Sequence, residues 1–442
     1  MARPNLVFVF ADQMRFNAAG FAGTPGMRTP HLDRLASQSV NCTNAVAGVP
    51  VCTPWRACML TGQYPLTHGL FMNDVRLPTD RPTFGTVLQE AGYRTGYVGK
   101  WHLDGRNRGG WTPPGPRRQG FDFWAVGNCS HDYLKSLYYR DDPTPLYWEG
   151  YDAIAQTDLF LEFLKDAGPA PFAGFLSWGP PHNPYGAVPD RYKALYDPAT
   201  LYVPPNCPNP NREDIRGYYA HVSALDEQVG RILAALEAQG KLDETVFVFT
   251  SDHGDMLGSQ GEQRKQRPWE ESIHVPLLIR TPGGQGRKEP CLINAWDLMP
   301  TLLSFLGLSV PGTCQGLDLS AALHSASYAR PTATLAACLV AFSEFRGPEW
   351  RAARTETHTY ARSRQGPWLL YDNQRDPFQQ TNLVNRPEAA DVQRRLDAEL
   401  DDLLARFGDR FEDPDELCAR FGYTRDPKGG HLGYIHQPGV EA

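Results

Sequence analysis

An alternation of short apolar runs with amphipathic helical stretches restricts this chain's fold more than any other feature. The runs Leu6–Phe10, Thr95–Val98, Phe172–Ser177, Val246–Thr250 and Pro276–Ile279 are rich in β-branched and aromatic residues. Between them, apolar residues recur every three or four positions. In the clearest case, from about Arg212 to Gln239, Ile215, Tyr218, Val222, Leu225, Val229, Ile232 and Leu236 share one face, and Gly240 stops the pattern. Stretches at about His31–Ser39, Phe84–Ala91 and Leu298–Leu306 have the same spacing. A parallel strand pair needs a crossover, usually a helix, to return the chain. The expected fold is therefore α/β: a large, mostly parallel or mixed sheet sandwiched by helices. Such sheets bind ligands beyond the carboxyl ends of their strands.

The texture changes after about residue 335. Short runs at Leu339–Phe345, Trp350–Arg354, His358–Ala361 and Trp368–Tyr371 are separated by turn residues and predict a small antiparallel sheet. A helix at about Glu388–Phe407 follows. This divides the chain into a larger unit, residues 1–335, and a smaller C-terminal unit, residues 336–442. The stretch Gly105–Gly150 is rich in Gly, Pro, Trp and Tyr and reads as a long loop insertion over the site.

Composition removes several function classes. A net charge of -7 argues against nucleic acid or an anionic membrane surface as a partner. No apolar run approaches the roughly 20 residues of a membrane span. Leu6–Phe10 is too short for a signal-peptide core, so the expected location is cytoplasmic. Nine cysteines without tight spacing read as reduced thiols rather than a disulfide framework.

Polar residues sit just after several apolar runs. Asp12 follows the first, and Asp252 with His253 follows Val246–Thr250. Two carboxylates and an imidazole on one sheet edge make a divalent-metal site; the alternative is that Asp12 and Asp252 cap helices or turns. In VCTPWRACMLTG, Cys52 precedes Pro54 and helix-compatible residues, which places it near a helix N-terminus with Arg56 one turn on. That position lowers a thiol pKa and favours anions; the alternative is a buried structural cysteine. Lys100 and His102 in GKWHLDG, His182 in WGPPHNPY, and Lys265 in the loop after Asp252 add positive charge on the same edge. An acidic chain that gathers cations beside a metal site binds a small anion. In the insertion, His131, Tyr133, Tyr138, Tyr139 and Trp148 either line a substrate pocket or form a packed aromatic lid. Asp255 is expected to cap a helix and His274 to be structural.

These residues resemble the type I, formylglycine-dependent sulfatases of the alkaline phosphatase superfamily. CTPWR followed by MLTG resembles their signature Cys-x-Pro-Ser-Arg with its trailing Leu-Thr-Gly. Trp55 stands where the family usually has Ser or a small residue. PNLVFVFADQ, TPHLDRLA, GKWHL, PPHNPY, SDHGDMLG, RKQRPWEESIHVPLLIR, AWDLMPTLLSFLGL and LLYDNQRDPFQQTNL resemble further family segments in order, over nearly the whole chain. Gln13 replaces the second aspartate of many members, although a sub-group carries Asp-Gln.

The resemblance implies that Cys52 is oxidised by a formylglycine-generating maturation enzyme to Cα-formylglycine. It implies that Asp12, Gln13, Asp252 and His253 hold one divalent cation with residue 52. Oxygen donors favour Ca²⁺, while His253 keeps Mn²⁺, Mg²⁺ or Zn²⁺ open. The implied activity is hydrolysis of a sulfate monoester of a small sulfated substrate, a sulfated carbohydrate or an aryl or alkyl sulfate. A formylglycine gem-diol would attack sulfur, Arg56 would lie near it, and Lys100, Lys265 and His182 would neutralise the sulfate oxygens. His182 or Lys265 would protonate the leaving oxygen, and His102 would take the proton of the second hydroxyl. A phosphonate monoester hydrolase or phosphodiesterase shares this fold and nucleophile. A non-catalytic binding protein on the same scaffold is a third reading, supported only by Trp55.

Overall fold

The computed structural model describes residues 3–166, 168, 170–325, 327–341, 347–425 and 435–440. Eight strands form the main sheet: β1 (Asn5–Asp12), β2 (Val40–Val46), β3 (Arg94–Lys100), β4 (Phe123–Gly127), β5 (Phe172–Pro181), β6 (Thr245–Ser251), β7 (Leu277–Arg280) and β8 (Arg287–Asn294). Their order is β8-β2-β7-β6-β1-β5-β3-β4. β7 runs antiparallel to both its neighbours, and all other pairings are parallel. The five runs read as strands from sequence are β1, β3, β5, β6 and β7.

Side-chain alternation along β1 divides the core into two layers. Leu6, Phe8 and Phe10 point to one face and pack with Trp55, Trp296 and Leu302. Val7, Val9 and Ala11 point to the other and pack with Val222, Leu225 and Val229. The latter belong to the helix Arg212–Ala238, which starts where the Asn211 side chain accepts the Asp214 N–H at 3.3 Å. The first face is covered by the helices Cys52–Thr61 and Ala295–Phe305.

A second sheet, β9 (Ala333–Cys338), β10 (Trp350–Thr355), β11 (His358–Ser363) and β12 (Gly366–Asp372), is antiparallel in that order. Leu335, Ala337, Ala353, Tyr360 and Leu370 of this sheet share one continuous apolar cluster with the first face of the main sheet. The helix Ala390–Phe407 follows. Among the described residues, no helix is long and apolar enough to cross a membrane.

Two expectations need correction. The strand expected at Leu339–Phe345 is replaced by β9, which ends at Cys338; residues 342–346 lie outside the described residues. Residues 105–150 are not all loop, because Phe123–Gly127 pairs with β3 as the edge of the main sheet. The other side of this strand is met only by a bridge from Val126 to Tyr139 among the described residues, so its sequence carries less apolar patterning than a central strand.

Candidate active site

The four adjacent strands β6, β1, β5 and β3 end on the same edge. Their carboxyl ends deliver Asp252 with His253, Asp12, His182 and Lys100. The helix starting at Cys52 aims its N-terminus at this point, and Gly62 ends it in a left-handed conformation. Thr53 ties the turn down: its N–H donates to Asn73 Oδ1 at 3.0 Å and its hydroxyl to the His102 carbonyl at 2.7 Å.

One ligand atom from each of Asp12, Cys52, Asp252 and His253 lies within 4.8 Å of the other three, and all four residues are buried. His253 Nδ1 faces its neighbour's carbonyl, Gly254 O, at 3.0 Å. This fixes the tautomer and leaves Nε2 to face Cys52 Sγ at 3.3 Å and carboxylate oxygens of Asp12 and Asp252, each at 3.5 Å. Gln13 donates its backbone N–H to Asp252 Oδ1 at 3.0 Å and its side-chain amide to Asp255 Oδ2 at 2.8 Å. Its buried Oε1 is left without a partner. A buried amide oxygen is costly when unpaired, so this donor set fits a hard cation. Neither Asp12 nor Asp252 caps the helix that follows it; those helices have Arg15 and Gly258 as N-caps.

The cations surround position 52. Lys100 Nζ pairs with Asp12 Oδ2 and lies 3.8 Å from Cys52 Sγ. Lys265 Nζ lies 3.2 Å from the same sulfur and 2.9 Å from His182 Nε2. His182 Nδ1 faces the Asn183 carbonyl at 2.8 Å, so Nε2 accepts from Lys265. Arg56 donates to the Lys100 carbonyl at 2.8 Å, Ser177 Oγ at 2.7 Å, Asp252 at 3.1 Å and Asp12 at 3.4 Å, and lies over the Phe10 ring. His102 Nε2 faces Asp74 Oδ1 at 3.0 Å, and its buried Nδ1 has no hydrogen-bond partner among the described residues. Gln13, Asp74 and His102 all have positive φ, at 71°, 67° and 57°. Such backbone strain collects at functional sites.

Proton affinities follow this arrangement. Burial and Asp12 raise the Cys52 thiol, but Lys100, Lys265 and His253 more than reverse this and hold it well below the ordinary thiol range. Burial likewise raises Asp12, and Lys100 with its cationic neighbours brings it well below the carboxylate range. Burial and the charge on Asp12 push Asp252 up. Burial beside Lys265 drives His182 down, so it is neutral. Burial lowers His102, but Cys129 and Asp74 raise it to about 10.

All the site residues expected from sequence thus meet in one cluster: Asp12, Gln13, Cys52, Arg56, Lys100, His102, His182, Asp252, His253 and Lys265. Asp255 does not cap a helix; it accepts from Gln13, from Tyr185 at 2.7 Å and from the Leu257 N–H at 3.0 Å. His274 stacks on Phe16 at 4.0 Å and bonds Glu270, away from the cluster. Of the insertion aromatics, Tyr133 is buried and Tyr138 stacks on Trp148 at 3.8 Å. Asp74, Asn73 and Cys129 were not anticipated, because they lie in aperiodic loops with no motif around them.

A parallel sheet presenting a nucleophile position, a hard-cation cradle and an anion-binding ring of cations defines a hydrolase of the alkaline-phosphatase-like fold. The chain belongs to the sulfatase family. It matches that family over residues 4–308 and the C-terminal region of N-sulphoglucosamine sulphohydrolase over residues 258–406. It is 41% identical to the ulvan-active sulfatase of Formosa agariphila, over 96% of this chain and 85% of the relative. It is 29% identical to an endo-4-O-sulfatase of Bacteroides thetaiotaomicron, over 95% of both. A structure solved in complex with its substrate D-glucosamine-2-N,6-O-disulfate superposes with a TM-score of 0.83 at 25% identity, over 94% of this chain and 99% of that one. The protein is a sulfuric ester hydrolase.

Proposed function

We propose that this sulfatase cleaves a sulfated carbohydrate, with position 52 as nucleophile and Lys100, Lys265 and His182 as the sulfate-binding groups. The observation that carries the reading is the convergence of Lys100 and Lys265 on Cys52 Sγ from two sides, at 3.8 and 3.2 Å. In the active protein, the formylglycine oxygens stand where this sulfur stands. A maturation enzyme reading Cys52, Pro54 and Arg56 supplies that residue. Asp12, Gln13, Asp252 and His253 would hold Ca²⁺, which supplies Lewis-acid activation of the nucleophile when bound.

The chain's own residues do the rest. Arg56, with its donors committed to Asp12, Asp252, Ser177 and the Lys100 carbonyl, is a fixed positive charge behind the nucleophile. Lys100 and Lys265 neutralise sulfate oxygens as charge shifts to the leaving group, from a water-poor site where each is worth more than in solution. His182 holds Lys265 by accepting one of its protons, so Lys265 is the group with a proton to give the leaving oxygen. Asp74 fixes the His102 ring through Nε2 and, with Cys129, keeps it protonated, so His102 adds a positive charge at the site.

The test is turnover by metal-loaded protein whose residue 52 has been checked by peptide mass. Ulvan oligosaccharides, 4-nitrophenyl sulfate and 4-nitrophenyl phenylphosphonate are compared. Sulfate esters should be hydrolysed faster; a preference for the phosphonate by orders of magnitude would replace this reading with that of a phosphonate monoester hydrolase. Full retention of the thiol in the native host would favour a binding protein.

A further inference from the structure

His131 comes from the insertion after β4, not from a strand end, yet it lies against the sulfate-binding groups. Its ring stacks on His182 with centroids 4.1 Å apart and planes 5° from parallel. Tyr133 bolts this segment down: its buried hydroxyl lies 3.3 Å from the Gly179 carbonyl, the Asn183 carbonyl and His131 Nδ1. The hydroxyl reaches carbonyls on either side of His182, at the end of β5 and just after it, so the two imidazoles are held by one anchor.

Depth decides what His131 meets. From Cys52 outward the row runs Lys265, His182, His131, each in contact with the next. Cys52, Lys265 and His182 are buried, and His131 is partly exposed. A sulfate ester seated on the inner groups, with its leaving oxygen in line and away from residue 52, places its alcohol half at the depth of His131. There Nδ1 is taken by Tyr133, and among the described residues Nε2 faces the Cys129 sulfur at 3.8 Å. At 3.8 Å that sulfur is a long contact, and the ring nitrogen can also reach a hydroxyl.

We propose that His131 contacts the alcohol half of the substrate and selects carbohydrate sulfates, hydrogen-bonding through Nε2 a hydroxyl beside the ester oxygen. The inference rests on the sulfatase reading above and adds a specificity-determining residue to it. An aryl sulfate offers no such hydroxyl and gains nothing from the contact.

The test compares the formylglycine-bearing protein with His131→Phe and His131→Ala on ulvan oligosaccharides and on 4-nitrophenyl sulfate. Phenylalanine keeps a ring over His182 but has no ring nitrogen; alanine removes both. Both variants should lose about 10- to 100-fold in kcat/KM on the oligosaccharides, mainly through KM, and stay within about 3-fold on the aryl ester. Equal losses on both substrates would mean that His131 acts only through His182, and the proposal falls. Undiminished oligosaccharide turnover by His131→Phe would overturn it too. If the parent protein turns over neither ester, the sulfatase reading itself fails. Calorimetric titration of ulvan oligosaccharides into parent and His131→Phe then decides the contact: weaker binding by the variant supports it, and equal or absent binding overturns it.

Discussion

Cys52 is the residue on which the chemistry turns, and its surroundings explain why it could be singled out from nine cysteines. It opens a helix, and two lysines and His253 face it. Cys58, one and a half turns on in the same helix, is buried in the core, and burial alone pushes its thiol up. Cys52→Ala should abolish sulfate ester turnover while leaving the thermal midpoint close to that of the parent. Activity that survives would remove residue 52 as the nucleophile. Asp252→Asn replaces a charged oxygen donor with a neutral one of the same shape, so metal affinity should fall at least about 10-fold. Metal analysis after dialysis checks it, and unchanged content would place the cation elsewhere. Asp12, Lys100, Asp252 and His253 were legible as candidates because each lies at the end of an apolar run, a position that fits caps and turns as well, and the family resemblance decided between them. Asp74 and Cys129 were not, since loop positions carry no period and their meeting depends on how separate loops fold together.

At the scale of the element, the helix Cys52–Thr61 shows why the signature tolerates Trp55. All ten of its residues are buried. Trp55 turns from the cluster into the core, where its ring lies 5.6 Å from that of Phe10, and the Phe10 ring in turn supports the Arg56 guanidinium at 4.9 Å. The large side chain thus packs beneath the site without entering it. Trp55→Ser, which restores a family-like residue, should leave a cavity and cost about 3–5 kcal/mol, read by chemical denaturation. A loss below about 1 kcal/mol would mean that the ring is not a packing element. The strands divide in the same physical way. β1, β5 and β6 were readable because both faces are buried and the sequence is continuously apolar. β2, with Asn41, Thr43 and Asn44, and β8, with Arg287, Lys288 and Glu289, were not, because they lie toward one side of the sheet and keep polar residues.

Over the whole molecule, buried carboxylates tie separate elements together, and they set the acid limit of stability. Asp409, after the helix Ala390–Phe407, accepts from Arg351 of β10 through two nitrogens, and from the hydroxyl of Tyr64, which follows the helix Cys52–Thr61, at 2.8 Å. Asp74 likewise holds His102 and Arg108. Burial raises both carboxyls, but Arg351 brings Asp409 below its ordinary value, and His102 and Arg108 bring Asp74 to about 2. A carboxyl whose folded pKa lies below the unfolded value of about 3.9 stabilises the fold above that pH. Its contribution disappears as pH falls through the folded value, so stability should drop between about pH 4 and about pH 2. Asp409→Asn isolates one such tie. It leaves the buried Arg351 charge without its partner and should cost about 3–5 kcal/mol near neutral pH. Denaturant titrations at about pH 7 and about pH 3 check the assignment, because protonation of the parent's carboxyl should narrow the gap between parent and variant at the lower pH. A gap of the same size at both would mean that Asp409 acts through packing, and that the ion pair with Arg351 does not join the small sheet to the rest.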